Sequence, residues 1–167
     1  VTRLPRTVRL DVSDASVFDR AALPGEWAVP GGFEFVDAAG AALSPAEHNA
    51  FACGFLGTES FGRATLVAVE EASPADIEAV VTALALHFMR DHGAPTIAQA
   101  RAAAEQEVRF AAELCDHPIG TLLTVTRRFE GEDIIERFAT VTPHDPMASV
   151  HAAPIDLRGL VHAAEEP

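Results

Sequence analysis

The sequence predicts an α+β fold, a mainly antiparallel sheet built from hairpins, with a helical hairpin and one further helix packed on one face. Three observations carry this. Alternating segments occur in pairs around glycine-containing turns. Two long helix-period segments follow one another directly, separated only by residues 91–95. No run of strand–helix units is present, so a parallel doubly wound sheet is not expected.

The elements follow in order. Residues 7–13 alternate, with Val8, Leu10 and Val12 on one side and Thr7, Arg9, Asp11 and Ser13 on the other, the pattern of a strand with one wet face. Residues 26–29 and 33–36 flank Pro30-Gly31-Gly32, which reads as a hairpin turn because proline presets one dihedral and glycine supplies the positive one. Ser44-Pro45-Ala46-Glu47 is a helix start: serine caps, proline suits the first helical position and Glu47 completes a capping box. That helix would carry His48, Phe51, Ala52 and Phe55 on one face and end near Gly57. Residues 57–63 form a glycine-bounded loop, and residues 64–71 return to strand.

Ser73-Pro74-Ala75-Asp76 starts a second helix, with Ile77, Val80, Val81, Leu84 and Phe88 at helical spacing and Gly93 and Pro95 as stops. Leu86 and Met89 lie off that stripe. Residues 96–115 are a third helix with Ile97, Ala100, Ala104, Val108, Ala111 and Cys115 on one face, small enough for close helix approach. Residues 121–130 and 133–142 are strands around Gly131-Glu132, a two-residue primed turn. Pairing Glu130 with Asp133 sets Phe129 against Ile134, Arg127 against Glu136, Val125 against Phe138 and Leu123 against Thr140. Residues 1–142 read as one domain. Residues 143–167 read as an irregular, proline-punctuated tail docked on the domain or on a partner.

Composition excludes several chemistries. The 167 residues carry a net charge of −13, and every basic side chain is arginine. Without lysine there is no Schiff-base enzyme, pyridoxal anchor, phosphate-loop lysine or lipoyl attachment point. Without tyrosine there is no phenolic acid or base. The acidic balance argues against a nucleic-acid or anionic-membrane surface, since counterion release needs clustered cations. Two cysteines are too few for a disulfide scaffold. No signal-peptide-length or membrane-length apolar run occurs. The expectation is a soluble, cytoplasmic protein.

Candidate chemistry is sparse. Cys115-Asp116-His117-Pro118 places a thiol near an imidazole, but Cys115 continues a buried stripe, where a thiol is inert. His87 and Asp91 share a helix face and His92 is adjacent, yet no third metal ligand is in sequence reach and no zinc-binding spacing occurs, so no metal and no cofactor are expected. His144, Asp145, His151 and His162 of the tail have no ligand spacing. The most site-like segment is the 57–63 loop, where Ser60 offers a hydroxyl, Phe61 an apolar wall and Arg63 a charged fork for a carboxylate or phosphate. The alternative is a connection whose Phe61 plugs the core. Arg127 and Glu136 form a charged pair on an apolar sheet face, lining a polar cleft or marking where the sheet emerges from its helices. Trp27 is a core or interface anchor, or a stacking surface for a ligand.

Three stretches resemble a family of uncharacterised bacterial proteins known only as a domain of unknown function. They are Pro24-Gly25-Glu26-Trp27-Ala28-Val29-Pro30-Gly31, Gly54-Phe55-Leu56-Gly57 through Ser60-Phe61-Gly62, and Glu107 through Cys115 to Gly120-Thr121-Leu122. The resemblance reaches from the first strand to the second hairpin and does not include the tail. It implies no activity and no catalytic residue.

Three functions follow as expectations. The first is a non-catalytic accessory or protein-interaction factor that binds a protein partner or self-associates, as a homodimer, through the Leu86 and Met89 side. The second is a small-molecule-binding domain for an anionic ligand, using Trp27, Ser60, Phe61, Arg63, His117, Arg127 and Glu136. The third is an enzyme with His117 or His48 as base.

Overall fold

The computed structural model describes residues 1–9 and 13–141. The tail expectations, including His144, Asp145, His151 and His162, lie outside the described residues.

The architecture is α+β, with two antiparallel sheets. The larger has the order β1 (Thr2–Val8), β5 (Leu66–Ala72), β6 (Leu122–Glu130), β7 (Asp133–Val141). The smaller is β2 (Ala28–Val29), β3 (Phe55–Gly57), β4 (Arg63–Ala64). Helices α1 (Ser13–Val17), α2 (Pro45–Cys53), α3 (Pro74–Asp91) and α4 (Ile97–Leu114) complete the chain.

Several elements form for the reasons the sequence gives. Ser44 and Ser73 each cap their helix in a full capping box, with Glu47 and Asp76 reaching back. The Ser73 backbone and side-chain hydrogen bonds hold the Asp76 carboxyl below its ordinary range. The β6–β7 register pairs Arg127 with Glu136 and Phe129 with Ile134, as the Gly131 turn requires. Gly93, at φ +67°, closes α3, and Ala94 N–H returns to the Phe88 carbonyl at 3.1 Å. The α3–α4 contact is made of Val81, Leu84, Ala85 and Phe88 against Ala100, Ala104, Val108 and Ala111, all buried. Ile97, expected on that face, is 54% exposed.

Four elements differ from the sequence expectation. The first strand starts at Thr2, not at Thr7, and Ser13 opens α1. Pro5 lies within β1, an edge strand, where a missing ladder N–H is tolerated. Residues 33–36 do not fold back as a hairpin strand. Gly32–Phe35 is a single 3-10 turn, and β2 instead pairs with β3, Ala28 with Gly57 and Val29 with Leu56. The backbone groups a Pro30-Gly31-Gly32 hairpin would need are taken by side chains: Pro30 O by Arg127, Gly31 O by Arg63 and Gly31 N–H by Glu107.

Helix α2 stops at Cys53, so Phe55 belongs to β3 and not to the helix. Gly54 turns extended there, at a place that suits glycine, since a Cβ would meet the Ala50 carbonyl at 2.8 Å and the Arg63 side chain at 3.0 Å. The 57–63 loop is consequently a hairpin loop within the small sheet, with Leu56 opposite Arg63.

Candidate functional site

Two charged assemblies occupy the junction between the sheets. The first is built on arginines. Arg127 leaves β6 with its side chain wholly buried and its Nε donating to Glu136 Oε2 at 2.7 Å. Its Nη1 donates to Phe51 O at 3.0 Å and Gly54 O at 2.9 Å, and its Nη2 to Pro30 O. Arg63 leaves β4 and donates to Gly54 O at 3.0 Å and Gly31 O at 3.2 Å. Burial first, then the neighbouring Arg127 charge, pulls the Arg63 guanidinium down to about 9. The ring of Phe35 lies 4.9 Å below it. The Glu107 carboxyl is pushed up by burial, although the Gly31 N–H it accepts works the other way.

The second assembly is built on histidine. His87, on the inner face of α3, has Nε2 2.7 Å from Glu34 Oε1 and Nδ1 3.0 Å from Asp91 Oδ2. His92 Nε2 lies 3.5 Å from Glu34 Oε2. Phe61 stacks on the His87 ring at 4.1 Å and 11°. Phe33 stands edge-on to both imidazoles, at 6.3 and 5.4 Å. Burial alone would raise the Glu34 carboxyl, but the His87 hydrogen bond and the Arg63 charge hold it below its ordinary value. Donor atoms of Glu34, His87 and His92 all lie within 4.8 Å of one another.

A cavity of about 330 Å³ opens beside both assemblies. Phe18, Phe35, Leu56 and Phe61 give it apolar walls, and Arg20, Arg63 and Glu34 charge its rim and floor.

The residues singled out in the sequence divide among these places. Arg63, Arg127 and Glu136 are brought together at the sheet junction, where the guanidinium groups hold main-chain carbonyls. Phe61 joins His87 and lines the cavity. Its φ of +54° is rare for a bulky residue. Ser60 is held away from the cavity: its hydroxyl donates to Glu26 Oε2 at 2.6 Å and accepts from Gly62 N–H at 3.0 Å. Trp27 packs on the core with Arg6 4.8 Å above its ring. His117 follows α4, its main-chain oxygen accepting from Arg3 at 2.6 Å. Among the described residues neither the His117 nor the exposed His48 imidazole forms an ion pair with a carboxylate.

Cys115 is 1% exposed, and burial pushes its thiol up to about 12. Burial likewise raises the Cys53 thiol, against the opposing charge of Arg127. Neither sulfur is poised as a thiolate nucleophile.

Sequence reasoning missed Glu34 and Glu26. Glu34 sits between two phenylalanines and reads there as the wet face of a strand. Glu26, 2% exposed, accepts Leu23 N–H at 2.6 Å, Glu59 N–H at 2.9 Å and Ser60 N–H at 3.0 Å, and so ties the 58–62 loop to the segment before β2. Its signal was a carboxylate beside Trp27 in an otherwise apolar stretch.

Fold and site together define a two-sheet α+β protein with a buried arginine junction and a histidine–glutamate niche beside a small cavity. No described helix is long and apolar enough to cross a membrane. The chain belongs to a family of unknown function, DUF6505, which matches residues 2–156 and so extends beyond the second hairpin. No curated protein and no solved structure matches it.

Proposed function

We propose that the protein is a non-catalytic accessory protein of the cytosol that binds a small anionic molecule in the cavity between α1, α2 and the 58–62 loop. The cavity carries this reading. Its volume of about 330 Å³ lies at the small end of ligand-binding pockets. Two of its carboxylates are engaged by neighbours, Glu34 by His87 and Glu47 by the Ser44 N–H at 3.1 Å. Asp19 also lines the cavity, and Arg20 and Arg63, whose guanidinium groups donate to Ser60 O and to Gly54 O and Gly31 O, supply the positive charge. Burial and Arg127 disfavour the Arg63 cation, so an anion in the cavity would relieve it. The apolar walls favour a carboxylate or phosphate ester with a short hydrocarbon or ring portion.

The test is thermal unfolding with a panel of small carboxylates and phosphate esters. At least one compound is expected to raise Tm for the wild type. Ala46→Trp, which fills the cavity from α2 and leaves both arginine struts unsubstituted, removes the shift. A null panel, or an equal shift in both proteins, refutes the reading.

A second reading, self-association, is supported by one observation. Leu86 and Met89, three apart on α3, are 48% and 39% exposed. The free cysteines Cys53 and Cys115 support the cytosolic placement.

A further inference from the structure

His87 and His92 gain in three dimensions the third donor that the linear sequence lacks. Glu34, 53 positions before His87, arrives on the 3-10 turn that replaces the expected hairpin strand. We propose that Glu34, His87 and His92 form a binding site for a divalent transition-metal ion, Zn²⁺ first of all.

The donor chemistry selects the ion. Two imidazoles and one carboxylate are the ligand set of open zinc sites, and they suit zinc and its first-row neighbours better than calcium or magnesium, which take mostly oxygen donors. Metal-binding histidines characteristically give their second ring nitrogen to a carboxylate, which fixes tautomer and orientation. Asp91 stands 3.0 Å from His87 Nδ1, leaving Nε2 as the coordinating nitrogen. Phe61 against the face of His87, and Phe33 against the edges of both imidazoles, hold the rings in place.

The donors are within side-chain reach of a common centre. Tetrahedral ligands at zinc distances stand roughly 3.3 Å apart. The present separations are 2.7 Å from Glu34 to His87 and 3.5 Å from Glu34 to His92. The two contacts use different oxygens of Glu34 and the donors lie within 4.8 Å of one another, so gathering them around one ion takes side-chain shifts on the order of an ångström. The side chains of His92 and Glu34 are 28% and 25% exposed, so the ion has a route in and keeps water in its remaining position.

This inference is separate from the anion cavity, with which it shares Glu34 as a ligand and Phe61 as a wall. The test is equilibrium dialysis of the chelator-stripped full chain against Zn²⁺, with circular dichroism as a control on folding. One Zn²⁺ per chain is expected. Asp91→Asn weakens binding by about 10–100-fold, and His92→Ala by at least as much. Co²⁺ in the same site gives the intense visible absorption of four- or five-coordinate cobalt, which His92→Ala abolishes. His144→Ala/His151→Ala/His162→Ala, made together, leaves Zn²⁺ binding intact. Failure to retain Zn²⁺, unchanged affinity in His92→Ala, or loss of binding in the tail variant overturns the proposal. Because Ala46→Trp leaves all three ligands in place, it keeps Zn²⁺ binding whichever way the anion test falls.

Discussion

Arg63 and Arg127 donate to the same main-chain oxygen, Gly54 O, at 3.0 and 2.9 Å. One arginine comes from each sheet, so this carbonyl fastens the sheets together through the end of α2. Both guanidinium groups also reach the Pro30-Gly31 segment, through Pro30 O and Gly31 O. These side chains do the work of an absent hairpin ladder. A planar guanidinium spreads five N–H donors over three nitrogens, against three on the single nitrogen of a lysine, so it can serve a carboxylate and several carbonyls at once.

Replacing Arg127 by Met takes this donor from Glu136, Phe51 O and Pro30 O, and leaves Gly54 O to Arg63 alone. The expected loss is about 3–5 kcal/mol, the range for breaking a buried ion pair from one side. Arg127→Lys should recover only a part of it. Denaturant unfolding of both variants measures this, and equal stability of Arg127→Met and wild type would remove the strut from the account.

The glycines bounding the 58–62 loop are there for close approach. A Cβ on Gly62 would stand 2.5 Å from the Ala21 backbone, and one on Gly57 2.1 Å from Glu26 Oε1. Gly62→Ala, pressed against backbone, should cost about 1–3 kcal/mol. Gly57→Ala should also displace Glu26 and free Ser60. Hydrogen exchange of the Glu59 and Ser60 amides reports the second effect, which is absent if Glu26 does not tie the loop.

Glu34 and Glu107 give opposite pH signatures. The Glu34 carboxyl is depressed in the fold, by the His87 hydrogen bond and Arg63 against the cost of burial. Its contribution is therefore full above the ordinary carboxylate value and is lost as pH falls through the depressed one. The Glu107 carboxyl is raised, chiefly by burial. The folded state then holds its proton more tightly, and stability falls as pH rises from the ordinary value through the raised one. Glu34→Gln should flatten the acid limb of the stability curve, and Glu107→Gln should remove the decline above it. Identical curves for either variant and wild type would contradict the assigned environment.

Self-association through α3 predicts that Leu86→Arg lowers the sedimenting mass from dimer to monomer. Monomer mass for both proteins would exclude that interface.

Much of this molecule was legible locally. The capping boxes at Ser44 and Ser73, the α3–α4 hairpin and the entire β6–β7 register follow from spacing and turn chemistry within a few residues. What escaped depends on long-range partners. Pro5 is acceptable only because β1 ends up at a sheet edge. Residues 33–36 alternate like a strand, but Arg63, Arg127 and Glu107 take the Pro30 and Gly31 backbone groups. At the candidate site, His87, Asp91 and His92 stood out on helical spacing. Glu34 did not, because nothing in Phe33-Glu34-Phe35 points to a histidine 53 residues away. Arg63 was legible as a charged fork for an anionic ligand but not as a buried strut, since its acceptors are main-chain carbonyls that carry no sequence signal.

Native mass spectrometry of the full-length protein, as purified, tests the binding reading most directly. The account predicts one small acidic molecule per chain, distinct in mass from a metal ion, carried by the wild type and missing from Ala46→Trp. A bare polypeptide mass in the wild type, or the same adduct in both proteins, would contradict it.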